Sequence, residues 1–422
     1  MTPITESQYQ IDTKDNRDLL NREAQELVDF GKRFAWPGGG ASYLDDEGNP
    51  VPSEGLYAYE SGRYAHAYTL GLLAGYVPED EALPLIKQAL DGFTTGLLLD
   101  REHGGWYTRV GKEGTPDPNK GCYAHAFVIL GAASASLVHI PESRALLDKA
   151  LKVYDRYFWD EQYGMPRDTW DTSFTHCEQY RGINSSMHSV EAFLAASDAL
   201  EEPKYRLRAG RMIQRTVGFA SDCNWHIPEH FTEEWKPVYE YNAEKKDDQF
   251  KPYGTTPGHS LEWGRLITQW AVSSYDHGEI DESTRDRYIE AAENLFAVAV
   301  ETGWNVDGQI GLVYTVDWEG RPVVHDRMHW TLAEGIDTAS VLYRITGKSI
   351  YAEWYARFWQ YVDEYMIDHQ RGSWFHQLDA NNQVIGTVWP GKPDIYHALQ
   401  ATLIPCVAKD RIGLSIAKAL TD

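Results

Sequence analysis

The stretch Lys251-Pro-Tyr-Gly-Thr-Thr-Pro-Gly-His-Ser-Leu-Glu-Trp-Gly-Arg265 sets a histidine and a carboxylate where proton chemistry could use them. Pro257 and Gly258 interrupt the backbone. The apolar run Leu261, Trp263, Leu266, Ile267, Trp270 and Ala271 predicts a helix that starts at once. His259 then stands in or just before the first turn, and Glu262, three residues on, shares its face. A helix start and a carboxylate act oppositely on an imidazole's charge, and such a pair suits moving protons on and off oxygen or carbon. Taken alone, it is equally well explained as a helix cap.

The segment is not alone. Arg63, His125, His188 with Glu191, Glu334 and His397 occupy matching places at the starts of other apolar runs. Each has a plainer explanation: an ion pair, a hydrogen-bonded core histidine, an acid in a first helical turn. That all of them fall at the same place in a repeat favours a shared pocket. Several histidines titrating near neutrality suit reversible proton transfer beside a carbonyl. Glycoside hydrolysis needs two flanking carboxylates, for which Glu262 and Glu334 are available, so a hydrolase remains an alternative. A sugar-binding protein without catalysis is a third. There is no HExxH, no cysteine cluster and no phosphate-cradling glycine loop, so no metal site is expected and nucleotide use is poorly supported. The His-x-x-Glu pairs at 188/191 and 259/262 resemble metal ligands only loosely.

Six apolar segments carry these residues: Arg63–Gly75, Tyr123–Ala135, Met187–Ser197, Gly258–Val272, Trp330–Tyr343 and Ile395–Ile404. They begin roughly 60–70 residues apart and alternate with amphipathic ones: Asn21–Phe34, Glu79–Leu99, Glu142–Phe158, Tyr205–Phe219, Glu282–Glu301 and Ile350–Met366. Segments apolar all round must be enclosed, and amphipathic ones enclose them, which predicts an all-α (α/α)6 barrel. Gly105–Arg109, Gly311–Trp318 and Ser373–Leu378 read as short hairpins in the loops. No linker or composition shift divides the chain, so residues 1–422 are expected to form a single barrel domain.

The formal net charge of −24 argues against nucleic acid or an anionic membrane as partner. With 15 Trp and 26 Tyr, aromatic side chains suffice for a sugar-stacking wall, although they serve a core equally well. The four cysteines are scattered, the polar N-terminus lacks a signal-peptide pattern, and no apolar run is long enough for a membrane span. A cytoplasmic location is expected.

Asn184-Ser-Ser-Met-His-Ser-Val-Glu-Ala-Phe193, Gly254-Thr-Thr-Pro-Gly-His-Ser-Leu-Glu-Trp-Gly-Arg-Leu266, Val313-Tyr-Thr-Val-Asp-Trp-Glu-Gly-Arg-Pro-Val-Val324 and Asp394-Ile-Tyr-His397 resemble the N-acylglucosamine 2-epimerase superfamily over about Gln25 to Pro405. Within it, the resemblance is nearest to the aldose–ketose isomerase branch. It implies a cofactor-free isomerisation through a cis-enediol(ate), with a monosaccharide such as D-mannose or D-fructose as the partner, and D-lyxose/D-xylulose as further substrates. By the same resemblance His397 would move a proton between C2 and C1, and His259 would assist ring opening. Arg63, His188, Glu262 and Glu334 would form the polar shell around the sugar, Tyr59 and Trp330 its aromatic wall, and Asn184 and Tyr123 neighbours of it. In the branch that binds a sulfonated sugar, an arginine and two glutamines approach the sulfonate. Gln249, His376 and Pro393 stand at those positions here, with Lys251 nearby, which points to an uncharged hexose. A sugar 2-epimerase of N-acylglucosamine or cellobiose type, or a sulfoquinovose isomerase, is the alternative.

Overall fold

The computed structural model describes residues 4–421; Met1 to Pro3 of the polar lead, and Asp422, lie outside it. Helix α1 (Lys14–Gly31) is followed by five helical pairs: α2 (Ala58–Leu73) with α3 (Glu79–Thr94), α4 (Cys122–Ser136) with α5 (Ser143–Val153), α6 (Ile183–Leu200) with α7 (Pro203–Asp222), α8 (Pro257–Asp276) with α9 (Glu282–Gly303), and α10 (His329–Thr346) with α11 (Ser349–Tyr361). Helix α12 (Tyr396–Leu403) comes next, and α1 packs against it as the outer member of the sixth pair. Each even-numbered helix packs against the next, and α12 returns to α2, so these six form a closed inner ring. Their residues are buried on nearly every side: Pro257 to Ala271 of α8 and Ala124 to Ala135 of α4 without exception. All-round apolarity is therefore the signature of position in the ring.

The ring packs tightly where side chains are small. A methyl group on Gly62 of α2 would lie 2.3 Å from the carbonyl oxygen of Phe127 in α4, and one on Gly131 would lie 2.8 Å from that of Gly62. Glycine at both positions is what lets these two backbones touch.

Helix boundaries depart from the sequence expectation in interpretable ways. Helix α1 starts at Lys14 rather than Asn21, because the Thr13 hydroxyl accepts the Asn16 N–H at 3.1 Å and caps it. The segments read as continuous to Phe158 and Met366 instead finish in single π-turns, Tyr154–Phe158 and Val362–Met366. Both sit at the same place in the repeat and turn Tyr154, Phe158, Val362 and Met366 into the core. Of the expected hairpins, 311–318 forms one, Thr315–Val316 pairing with Pro322–Val324. Arg109 and Gln377–Leu378 instead pair across the fold with Tyr57 and Arg327–Met328, and 105–109 and 373–378 close locally through single bridges such as Leu99 to Trp106 and Ile367 to Trp374. Others were not anticipated: Leu56–Tyr57, Asn119–Gly121, Arg181–Gly182 and Arg327–Met328 are strands that run directly into α2, α4, α6 and α10. They anchor the N-terminal ends of those inner helices and build the wall around the ring's mouth. No helix among the described residues is long and apolar enough to cross a membrane.

Candidate active site

All six inner helices bring a side chain from their first two turns to one pocket of about 540 Å3, a volume that includes its open mouth. It is lined by Arg63 from α2, Tyr123 from α4, Asn184 and His188 from α6, His259 and Glu262 from α8, His329 and Trp330 from α10, and His397 from α12. Loops close the mouth with Gln249, Phe250, Tyr314 and Trp389, and with Phe250 edge-on to Trp389 at 5.3 Å.

Two histidines are held alike. His397 Nδ1 donates to Glu334 Oε1 at 3.1 Å, and His259 Nδ1 donates to the Glu229 carboxylate at 2.9 and 3.0 Å. A carboxylate on Nδ1 fixes the tautomer and leaves Nε2 as the working atom. Burial, and then the Arg63 guanidinium 3.4 Å from Nε2, push His397 well below the usual imidazole range, so it rests as a neutral base. Trp330 stands between the pair, its ring centroid 4.9 Å from that of His259 and 6.0 Å from that of His397. Gly258 makes this approach possible, since a methyl group there would lie 2.5 Å from Thr331 and 2.8 Å from the Trp330 ring.

Glu229 was not foreseen. It lies 30 residues before His259, in the loop after α7, and its Oε1 also accepts the Thr256 N–H at 3.2 Å where α8 begins. Glu262 is therefore not the partner of His259. Its two oxygens have no protein partner, although it is 1% exposed, and the basic side chains within 4 Å are His188, through Nδ1 at 3.7 Å, and Arg265 at 3.9 Å. Burial first, and then the neighbouring Glu334 charge, push the Glu262 carboxyl well above its usual range. Asn184 Oδ1 and His188 Nδ1 are likewise without hydrogen-bond partners. Buried polar atoms left open on a pocket floor are groups built to meet a hydroxylated ligand.

Arg63 is the cation of this wall. Its Nη1 donates to Asp394 at 2.9 Å and its Nη2 to the Tyr123 hydroxyl at 2.9 Å, while its face rests on the rings of Phe127, Tyr396 and Tyr59 at 4.6, 5.0 and 5.1 Å. Burial works against ionisation of Asp394, but Arg63, together with His329, His397 and the Tyr396 N–H, holds the carboxyl below its usual range. The charge of Arg63 is thereby balanced.

Two of the expected sugar contacts lie elsewhere. Glu334 is wholly buried behind His397, with both oxygens bound by Arg265 at 2.8 and 3.1 Å. Tyr59 faces the neighbouring groove and supports Arg63. His125 is a core residue: Nδ1 donates to the Gly121 carbonyl at 2.8 Å and Nε2 accepts the Trp106 N–H at 3.3 Å. The expectation of histidines titrating near neutrality also gives way. Burial lowers His188 and His376, and it takes His329 down to about 4. Among the missed residues, Asp394 had a local signal, an acid just before a helix start; its Oδ1 accepts the Tyr396 N–H at 2.9 Å. His376 stacks on His329 at 3.8 Å and bonds the Asp394 carbonyl at 3.2 Å. Gln249 gives its amide N–H to the Val388 carbonyl. Pro393 is turned away, its carbonyl accepting the Tyr64 hydroxyl, and Lys251 lies over the Tyr180 ring in the groove outside.

His188, Glu191 and Glu262 offer ligand atoms within 4.8 Å of one another. The Glu191 carboxylate already accepts the Tyr396 hydroxyl, and Arg265 lies 3.8 Å from Glu191 and 3.9 Å from Glu262. A guanidinium so close supplies the positive charge that a metal ion would otherwise bring.

The chain is 42% identical over 408 residues to a D-mannose isomerase of Thermobifida fusca, covering 96% of this chain and 97% of that one. It is 38% identical over 402 residues to a D-mannose isomerase of Pseudomonas cannabina pv. alisalensis, covering 95% and 94%. The crystal structure of a D-mannose isomerase superposes with a TM-score of 0.84 over 94% of this chain and 98% of that one, at 24% identity, and shares its (α/α)6 barrel. Residues 39–401 match the family model for N-acylglucosamine 2-epimerase, and the chain belongs to that family.

Proposed function

We propose that this protein is an aldose–ketose isomerase that interconverts D-mannose and D-fructose, with the barrel acting as one catalytic unit in the cytoplasm. The observation that carries the reading is a pair of imidazoles, each fixed through Nδ1 by a buried carboxylate, facing one pocket whose floor holds unpaired oxygens. The names of the two relatives support the substrate.

In this reading the pyranose opens with His259 exchanging a proton between O1 and the ring oxygen. His397 Nε2, neutral at rest, then takes the proton from C2. The C2–H electron pair becomes the C1–C2 double bond, and the aldehyde oxygen gains the negative charge of a cis-enediolate. Arg63 lies against His397 and can receive that charge. His259 carries the proton of O2 to O1 while His397 returns its proton to C1 and the C2 oxygen becomes the ketone, so neither electrons nor net charge leave the sugar. Glu262, Asn184 and His188 hold hydroxyl groups, and Trp330 and Tyr123 form walls. Hydrolysis is disfavoured because Glu334, needed as the second carboxylate, is engaged by Arg265 behind His397.

D-Mannose incubated with the enzyme in D2O and followed by NMR tests this. Fructose carrying deuterium at C1 is expected. Glucose as the first product would mean C2 epimerisation instead, and an unaltered sugar would refute catalysis on mannose.

A further inference from the structure

The ring has a second cavity at its opposite end, about 580 Å3 including its open part. The C-terminal segment folds across it: Ile404, Val407, Ile412, Leu414, Ile416 and Ala419 form an apolar wall that continues onto Val341 of α10. The floor is polar. Gln400 of α12 is wholly buried, and both its amide nitrogen and its amide oxygen lack any partner. Beside it His66 has Nδ1 engaged by Ser134 Oγ at 2.7 Å and Nε2 open. Leaving a buried primary amide wholly unpaired costs free energy at both atoms, and native interiors avoid it. Nothing in the catalytic pocket uses Gln400 or His66.

We propose that this cavity is a binding site for a small uncharged molecule bearing an amide or hydroxyl group on a short branched aliphatic body. The polar end pairs with Gln400 and His66, and the aliphatic end lies on Val341, Ile404 and Ile416. An amide or alcohol can both donate and accept, as the two atoms of Gln400 require. Both guanidiniums that line the cavity are already matched by carboxylates, which disfavours an anion. In the floor layer Arg265 is held by both oxygens of Glu334 and flanked by Glu191 and Glu262, and Arg344 is paired with Asp12 at 2.8 Å. The layer also separates the cavity from the catalytic pocket: Arg265 faces one and, through Glu334, supports His397 in the other.

Isobutyramide is the probe, followed by saturation-transfer NMR and by thermal melting of the full-length protein, neither of which requires turnover. The wild type should show saturable binding in the millimolar range, with a melting temperature that rises with probe concentration. Gln400→Leu, close in shape but without the amide, should weaken binding about tenfold or more. Ala419→Phe, which fills the cavity from the C-terminal segment without touching the inner ring's polar floor, should abolish it. Should Gln400→Leu fail to fold, Ala419→Phe decides alone. The site is refuted if the wild type shows no saturable binding, which would leave the cavity to water. Wild-type binding by the folded variants would refute it equally. Isobutyrate binding as tightly as isobutyramide would overturn the assignment to an uncharged ligand.

Discussion

Glu229→Gln is the sharpest perturbation of the proposed mechanism, because Glu229 touches His259 rather than the pocket. The carboxylate accepts His259 Nδ1–H at 2.9 and 3.0 Å and the Thr256 N–H at 3.2 Å, and it is 4% exposed. The amide fits the same space. It can satisfy Thr256 with its oxygen, but its NH2 group then faces His259 Nδ1, donor against donor. The imidazole must then share the amide oxygen with Thr256 or move its proton to Nε2, the atom that should accept protons from the sugar. Exchanging a charged for a neutral hydrogen bond removes about 1–1.5 kcal/mol of support for the imidazolium, roughly a factor of ten. The tautomer conflict adds to that. We expect kcat for mannose to fall about 10–100-fold, less than the 10²–10⁴-fold typical of removing the acid–base group itself. KM should be nearly unchanged and melting should shift little, because neither the sugar contacts nor the volume changes. Fructose formation, measured by steady-state kinetics alongside thermal melting, is the assay. A kcat within about twofold of wild type in a folded Glu229→Gln would show that the dyad does not support turnover. A loss that appeared in KM alone would make Glu229 a determinant of binding.

His397→Ala should abolish both isomerisation and solvent exchange of the substrate's C2 hydrogen, whereas His259→Ala should recover part of its rate on fructose, run in reverse; exchange surviving only in His397→Ala would reverse the two roles. Exhaustive EDTA dialysis should leave the mannose–fructose rate unchanged, and a loss restored by one divalent ion would give the His188, Glu191 and Glu262 cluster a metal. D-Mannose should be turned over about a hundredfold or more better than sulfoquinovose, because Gln249 is tied to Val388, Pro393 is turned away and Arg63 is already matched by Asp394; comparable kcat/KM values would overturn the neutral-sugar assignment. Burial takes His125 down to about 3 from 6.5, so the unfolded chain binds the extra proton between those values and His125 costs stability as pH falls through that window. Denaturant titrations of wild type and His125→Gln at pH 6.5 and pH 4 should therefore differ in their loss of stability by roughly 3 kcal/mol, the variant losing less; equal losses would mean that the histidine is not held neutral.

The barrel was legible in the sequence because helix burial is written locally. Thirteen successive residues from Tyr123 to Ala135 with almost no polar face can only be enclosed, and six such runs alternating with amphipathic ones leave little architectural choice. The N-terminal clustering of Arg63, His188, His259 and His397 was legible for the same reason, since a repeat aligns equivalent positions. What each polar group touches was not. The Glu229 contact to His259 spans a loop and a helix start, and Glu262, the partner suggested by helical spacing, points instead to the open floor. Glu334 occupies the right place in the repeat, yet Arg265 from the adjacent helix holds it behind His397. Tyr59 was drawn off the pocket by the face of Arg63. Helical periodicity says which side of a helix is buried but not which neighbour is met there, and burial, rather than residue type, lowered His188, His329, His376 and His397 from the usual imidazole range. The second cavity depends on the fold of residues 404–419 across the ring, and only tertiary packing leaves the Gln400 amide enclosed without a partner.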